Sequence, residues 1–367
     1  MKRKFFSLAF ALICTSSVHA AQSNVTLYGL VDMGIGSTHV SGPDGIRQSS
    51  TGVLSGGLTD SLFGLKGNER LSDDLSAVFQ LEAMFNGATG SLSDQDRFFN
   101  SNAWVGLASE RFGELRLGRQ HTVAQQFGSR LEVASWKEMG LGSTFRASDN
   151  YQVNNAVNYL SPSWSGFTMG VGYSFDVTGE QVNGRNSPAI SAALQYEHGP
   201  LLFVASWDKA YLSETVFPDR AQNPEAWQLG MSYDFGLARV SMGWSRQNNG
   251  YAGLNGGDPD NLGLGLGVAE FANGGRLNAY MLGAAVPVSA KGTVLLQYSL
   301  VKPDWEWQDG ERASTGHVAT LGYVYGLSPR TNLYAMAGIA KRYSLDDQVV
   351  QGLGTTTRYI AGVSHSF

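Results

Sequence analysis

The sequence predicts an all-β protein, a transmembrane antiparallel β-barrel of 16 strands with long external loops and short periplasmic turns. Three observations carry that reading: an export signal, a two-residue hydrophobic alternation whose second face is small and polar, and connections that alternate between short and long.

The export signal comes first. Lys2, Arg3 and Lys4 form a basic start, an apolar stretch runs from Phe5 to Cys14, and Val18-His19-Ala20 supplies the small residues of a cleavage site. The apolar stretch is too short to cross a bilayer as a helix. Residues 1–20 are therefore expected to be removed, leaving 21–367 as a single barrel domain. Cys14 is the only cysteine and leaves with the signal, so the mature chain is expected to hold no disulfide and no Cys-based metal site. The whole chain has a formal net charge of −5, and removing three basic residues and no acid makes it more acidic still. That balance argues against nucleic acid as a partner.

Composition agrees with a barrel. Gly is abundant at 46 residues, Phe, Tyr and Trp number 18, 15 and 8, and only 16% of residues are charged, which is low for a surface wholly in water. Nothing after the signal approaches 18 continuous apolar residues, so helical spans are excluded.

The period of two identifies the strands. Phe167, Met169, Val171, Tyr173 and Phe175 share one face, and Thr168, Gly170, Gly172 and Ser174 the other. Trp227, Leu229, Met231, Tyr233 and Phe235 alternate with Gln228, Gly230, Ser232 and Asp234. Val240, Met242 and Trp244 oppose Ser241, Gly243 and Ser245, and Tyr359, Ala361, Val363, His365 and Phe367 share a face at the end of the chain. A soluble barrel would carry Lys and Glu on its second face. Here that face holds Gly, Ser, Thr, Asn and Gln with scattered charges, as in a wall with lipid outside and water inside.

Punctuation gives the count. Short turns are expected at Leu71–Asp74, Ser109–Gly113, Ser161–Gly166, Glu197–Pro200, Asp234–Gly236, Pro287–Gly292 and Gly326–Arg330. Long polar loops are expected at Val40–Gly57, Asn86–Phe98, Thr122–Asn150, Val177–Ser187, Lys209–Pro224, Asn249–Gly274, Pro303–Arg312 and Ser344–Gly354. Seven turns and eight loops join sixteen strands, with both termini on the short-turn, periplasmic side. Closure pairs every strand on both sides and satisfies the backbone in lipid, which removes the need for disulfides.

Several short stretches carry a family resemblance. Ser23-Asn24-Val25-Thr26-Leu27-Tyr28-Gly29, Phe63-Gly64-Leu65-Lys66-Gly67, Leu117-Gly118-Arg119-Gln120 and Asn154-Asn155-Ala156-Val157 resemble strands of the trimeric Gram-negative general porins of the β-proteobacterial and neisserial type. Phe367 resembles the final aromatic that the barrel-assembly machinery reads in that family. The resemblance implies a homotrimer in which each barrel encloses its own pore. It also implies that the third long loop, 122–150, folds inward as the constriction. That loop carries both signs, with Arg130, Lys137 and Arg146 against Glu132, Glu138 and Asp149.

Simple alternation gives Lys66, Arg116 and Arg358 inward parity, and gives Arg119 the opposite parity to Arg116. Two further positions with inward parity are Leu62 and Gln152; relatives often place a basic residue at or near them. Their loss from this chain makes weak selectivity, neutral or modestly cation-preferring, the expectation.

The function expected is passive diffusion of small hydrophilic solutes and ions across the outer membrane, with no catalysis, cofactor or metal. Expected partners are further copies of the chain, outer-membrane lipid and lipopolysaccharide, the assembly machinery, and the solutes and ions themselves. One alternative is a channel specific for a sugar or organic acid, with Trp305 and Trp307 as an aromatic track; saturable block of conductance by the ligand would distinguish it. A second is a barrel enzyme at the outer rim, but His39 and His121 have no Gly-x-Ser-x-Gly nucleophile motif beside them. No His pair has the spacing of a zinc ligand set.

Overall fold

The computed structural model describes residues 23–42, 45, 47–134, 145, 152–177, 186–211, 213, 223–249, 276–304, 312, 314–342 and 354–367. The export signal lies outside them, as do Lys137, Glu138, Arg146, Asp149, Trp305 and Trp307.

The first strands run β1 (Ser23–Ser41), β2 (Arg47–Ser55), β3 (Ser61–Arg70), β4 (Leu75–Phe85), β5 (Asn102–Ser109) and β6 (Gly113–His121). A helix α1 (Val123–Gly128) and a 3-10 turn (Ser129–Leu131) follow. Then come β7 (Gln152–Leu160), β8 (Phe167–Ser174), β9 (Ala189–His198), β10 (Leu201–Ala210), β11 (Glu225–Asp234) and β12 (Arg239–Asn248). The last are β13 (Arg276–Pro287), β14 (Gly292–Asp304), β15 (Gly316–Ser328), β16 (Thr331–Lys341) and β17 (Thr355–Ser366).

All described strands belong to one antiparallel sheet in which strands pair with their chain neighbours, β2 and β3 excepted, and β17 closes on β1 from Leu30↔Ser366 to Ser41↔Thr355. β2 and β3 lie end to end against β1 and form one stave between them, so the seventeen segments make a closed barrel of sixteen. Among the described residues the ring of staves is closed, and β2 alone is paired on one side only.

The outer face is the apolar one. Phe167, Met169, Val171, Tyr173 and Phe175 are all exposed, as are Trp227, Leu229, Met231, Tyr233 and Phe235. Their alternates Gly170, Gly172, Ser174, Gln228, Gly230 and Ser232 face the interior. Aromatic side chains mark both rims. Phe112, Trp164, Phe235 and Phe367 lie exposed at the short-turn end, and Trp207 packs at a tilt against Trp227, 5.6 Å between ring centres, toward the long-loop end.

The seven short turns fall where the sequence places them, and the first long loop does not. Val40–Gly57 reads as a polar loop, yet Arg47–Ser55 forms β2 and pairs residue by residue with Met33–Ser41. The Ser37 hydroxyl joins this hairpin, lying 2.9 Å from Thr51 Oγ1 and donating to Ser50 O at 3.2 Å. A strand that rises above the lipid has water on both faces. Its hydrophobic alternation disappears while its pairing continues, which is why Ser49-Ser50-Thr51 looks like loop.

Candidate functional site

The interior of the barrel holds several charged side chains and the described part of the third loop, residues 122–134 and 145. Thr122 caps α1 by accepting from Gln125 N–H at 3.1 Å, and the helix turns the chain inward from the top of β6. The Ala124 N–H donates to Ser191 Oγ at 2.8 Å on β9, and Gln228 Nε2 of β11 donates to Gly128 O at 3.1 Å. Further along, Arg239 Nη2 of β12 donates to Glu132 O at 2.8 Å, and the Ala134 N–H donates to Gln297 Oε1 of β14 at 3.4 Å. Residues 122–134 of the loop are thus laid across the inner wall from β8 to β14.

Inward glycines make room for it. Val123 sits over Gly170 and Gly172, Leu131 over Gly230, Phe145 over Gly243 and Val133 over Gly283, so a Cβ at any of these glycines would crowd the loop. Val123, Leu131 and Phe145 are fully buried. The inner wall also carries apolar side chains, among them Val204, Met281, Leu295, Met336 and Ile360, and the loop residues join them in one hydrophobic cluster between loop and wall.

Two interior bases, Arg116 and Arg130, are paired with acids. Arg116 Nε and Nη2 donate to Glu114 Oε1 and Oε2 at 2.8 and 3.0 Å, and its guanidinium lies 4.5 Å from the Trp104 ring centre. Nη1 reaches Gln126 Oε1 of α1 at 3.3 Å, tying wall to loop. Arg130, on the loop itself, makes two 2.9 Å hydrogen bonds to the Glu197 carboxylate of β9. Lys66 Nζ stands 5.1 Å from the Tyr28 ring centre, and the Tyr28 hydroxyl donates to Glu82 Oε2 at 2.8 Å. Glu82 also accepts from Asn102 Nδ2 at 2.9 Å and from Ser101 Oγ. Arg358 has inward phase but is buried, with Nε donating to Thr38 Oγ1 at 2.8 Å.

Leu62 has the same phase as Gly64 and Lys66 and stands between Leu30 and Met84 on the inner face. Gln152 does not keep the inward parity that simple alternation gives it. Between β6 and β7 the register shifts, with Gly118↔Ala156 followed by Gln120↔Val153. Asn155 takes φ 50° in this bulge, and one extra residue of β7 is absorbed. Val153 thereby joins the inward phase of Ala156 and Asn158, and Gln152 is reversed. Its Nε2 lies 3.0 Å from His121 Nε2. Arg119 keeps the outward phase of Leu115 and Leu117 and ends at the rim, donating to Asn100 O and Asn154 Oδ1 at 2.8 Å.

Sequence reading named the loop acids but missed those of the wall, Glu82, Glu114 and Glu197. Glu82 and Glu114 are flanked by Leu81 and Leu115 in the opposite phase, so the same alternation that nominated Arg116 would have found them. Nothing in the sequence pairs Glu197 with Arg130. That contact depends on the path of the loop. Among the described residues no group of three His, Cys, Asp or Glu side chains is arranged to hold a metal.

A closed barrel with an apolar outside, aromatic rims and a charged interior crossed by its own loop is an outer-membrane diffusion channel. Residues 8–342 match the family model described as Gram-negative porin. The chain is 33% identical to an outer membrane porin of Bordetella pertussis, over 92% of this chain and 94% of that protein. It is likewise 33% identical to outer membrane porin protein 32 of Delftia acidovorans, over 97% and 94%. The solved anion-selective porin from Comamonas acidovorans superposes with a TM-score of 0.72 at 26% identity, covering 94% of this chain and all of that one. The chain belongs to the Gram-negative porins and resides in the bacterial outer membrane.

Proposed function

We propose that this porin is a general, weakly selective pore, a homotrimer of barrels each narrowed by loop 122–150, which catalyses no reaction. The observation that carries weak selectivity is the pairing of Arg116 with Glu114 and of Arg130 with Glu197. A pore prefers anions when its fixed bases face the solute without counter-charges, because low-dielectric walls focus their field. Here each of these two bases lies against a carboxylate, so much of its field cancels within a few ångströms. Lys66 faces Glu82 across Tyr28, and Leu62 adds no base. The solved relative is named for anion selectivity; this chain is proposed to lack a strong form of it.

The test is single-channel recording in planar bilayers, with the reversal potential measured in a salt gradient. Ideal selectivity for one monovalent ion gives about 59 mV per tenfold gradient. The expected value is near zero or modestly on the cation side, and a reading close to the anion limit would overturn the proposal. Trimer formation is read on gels, where detergent-folded protein should migrate as an SDS-resistant oligomer that boiling converts to a single monomer band. The residues expected to line the narrowing are Lys66, Arg116, Arg130 and Glu132, together with Lys137, Glu138, Arg146 and Asp149 of the same loop. Residues 1–20 are proposed as the cleaved export signal.

A further inference from the structure

The second stave is interrupted. β2 pairs with β1 as far as Met33↔Ser55, and pairing resumes with β3 at Leu30↔Leu62. Residues 56–61 therefore stand opposite Val31 and Asp32 alone, and the surplus must leave the plane of the sheet.

Asp32 fixes the side on which it leaves. Val31 is exposed on the outer face, so Asp32 points inward, and it is fully buried. Its carboxylate accepts from the N–H groups of Gly57 at 2.9 Å, Leu58 at 3.1 Å and Thr59 at 3.4 Å. Successive backbone N–H groups converging on one anion form a nest, which holds a turn closed. The Tyr334 hydroxyl, from the inward phase of β16, donates to Asp32 Oδ1 at 2.6 Å. Gly57 lies so close to Tyr334 that a Cβ there would overlap the ring, Leu58 packs on the inner-wall cluster, and Thr59 is exposed. The segment is a ledge on the inside of the barrel. In a ring of sixteen staves, β1 and the β2/β3 stave lie across from β10 and β11, strands against which α1 and the following 3-10 turn pack.

We propose that residues 56–60 form a second narrowing element facing the loop that carries α1, and that Asp32 is its positioning residue. The size limit for solutes is then set from both walls. A carboxylate suits this place because it accepts several N–H groups and a phenol at once, whereas an amide offers one acceptor oxygen. The inference rests on the channel reading, and its test separates the two.

Conductance and the permeation of neutral sugars of increasing size into liposomes are the measurements. Deleting Gly57–Asp60, which lets β2 run on into β3, should raise both conductance and the size limit. Asp32→Ala should do the same to a smaller degree. Thr59→Cys, with Cys14 replaced by Ser, supplies a single thiol for a cationic methanethiosulfonate. The thiolate sulfur displaces methanesulfinate and forms a disulfide, which should lower conductance in a step reversed by dithiothreitol. Failure of Thr59→Cys to react, or reaction without a change in conductance, overturns the proposal even where the deletion does not fold. A folded deletion with unchanged conductance and sugar limit also overturns it. A wild type that forms no pore defeats the channel reading itself.

Discussion

Arg130 and Glu197 meet through two parallel hydrogen bonds of 2.9 Å, one side chain carried by the inward loop and the other by the periplasmic end of β9. Both are half-exposed, so the pair contributes little to stability, on the order of 0–1 kcal/mol. Its consequence is electrical. Physiological salt screens charge over about 8 Å, and within a narrow pore a single unpaired charge still reaches passing ions. Glu197→Gln should unmask Arg130 and shift the reversal potential toward anions, while Arg130→Gln should shift it toward cations. Changing both should return it near the wild-type value. Single variants that leave the reversal potential at the wild-type value would show that the pair does not reach passing ions.

The same measurement separates Leu62 from Gln152. Leu62→Arg adds a base to the inner row of Gly64 and Lys66 and should move the reversal potential toward anions. Gln152→Arg should leave it nearly unchanged, because the bulge turns this position out of the inward phase. Equal shifts from the two variants would mean that residue 152 reaches the interior in spite of the register.

That contrast shows what the sequence makes legible. Alternation is a local property, so the barrel, its turns and the inward phase of Arg116 can be read from neighbours two residues apart. A bulge is set by pairing with a distant strand, so Gln152 cannot be read the same way. β2 was hidden for another reason: above the membrane both faces are wet and the pattern carries no signal. The acids of the interior lie between. Glu114 is legible by phase, but its grip on Arg116 and the meeting of Glu197 with Arg130 require the folded wall and the path of the loop.

The glycine floor under the loop gives a prediction about the pore's width. Gly230 and Gly170 face inward beneath Leu131 and Val123, with no space for a side chain. Gly230→Val should push the loop off the wall. Overpacking of this kind costs roughly 1–3 kcal/mol. The barrel itself should persist, since its ladders do not depend on the loop. The expected result is a folded protein with altered, noisier single-channel conductance and a lower temperature of loop-dependent melting. Gly52→Ala, on β2 where an added Cβ meets nothing and the backbone is ordinary strand, is the control and should leave conductance unchanged. If Gly230→Val behaves like that control, the contact between Leu131 and β11 does not hold the loop.

The last residue closes the barrel as well as ending it. Phe367 N–H donates to Gly29 O at 3.0 Å, and Gly29 N–H donates to Phe367 O at 3.2 Å, which extends the β17–β1 seam by one further pair. The Phe367 ring lies on the outer face over Gly29, so closely that a Cβ there would overlap it. The seam joins the two ends of the chain and is the pairing of longest sequence separation in the barrel. It has the largest loop-closure cost of any ladder here and is expected to form late. Deleting Phe367 removes two hydrogen bonds and the ring at the periplasmic rim, together with the aromatic terminus that resembles the family's assembly signal. Export should be intact, while the yield of membrane-inserted, SDS-resistant oligomer should fall severalfold. Phe367→Ala keeps the backbone pair and removes only the ring. If the ring is the signal, this variant should fail as badly as the deletion; if the seam is what matters, it should assemble close to normally. Wild-type levels of inserted oligomer in both would leave Phe367 as an ordinary strand end, and the closing pair with Gly29 would then be dispensable.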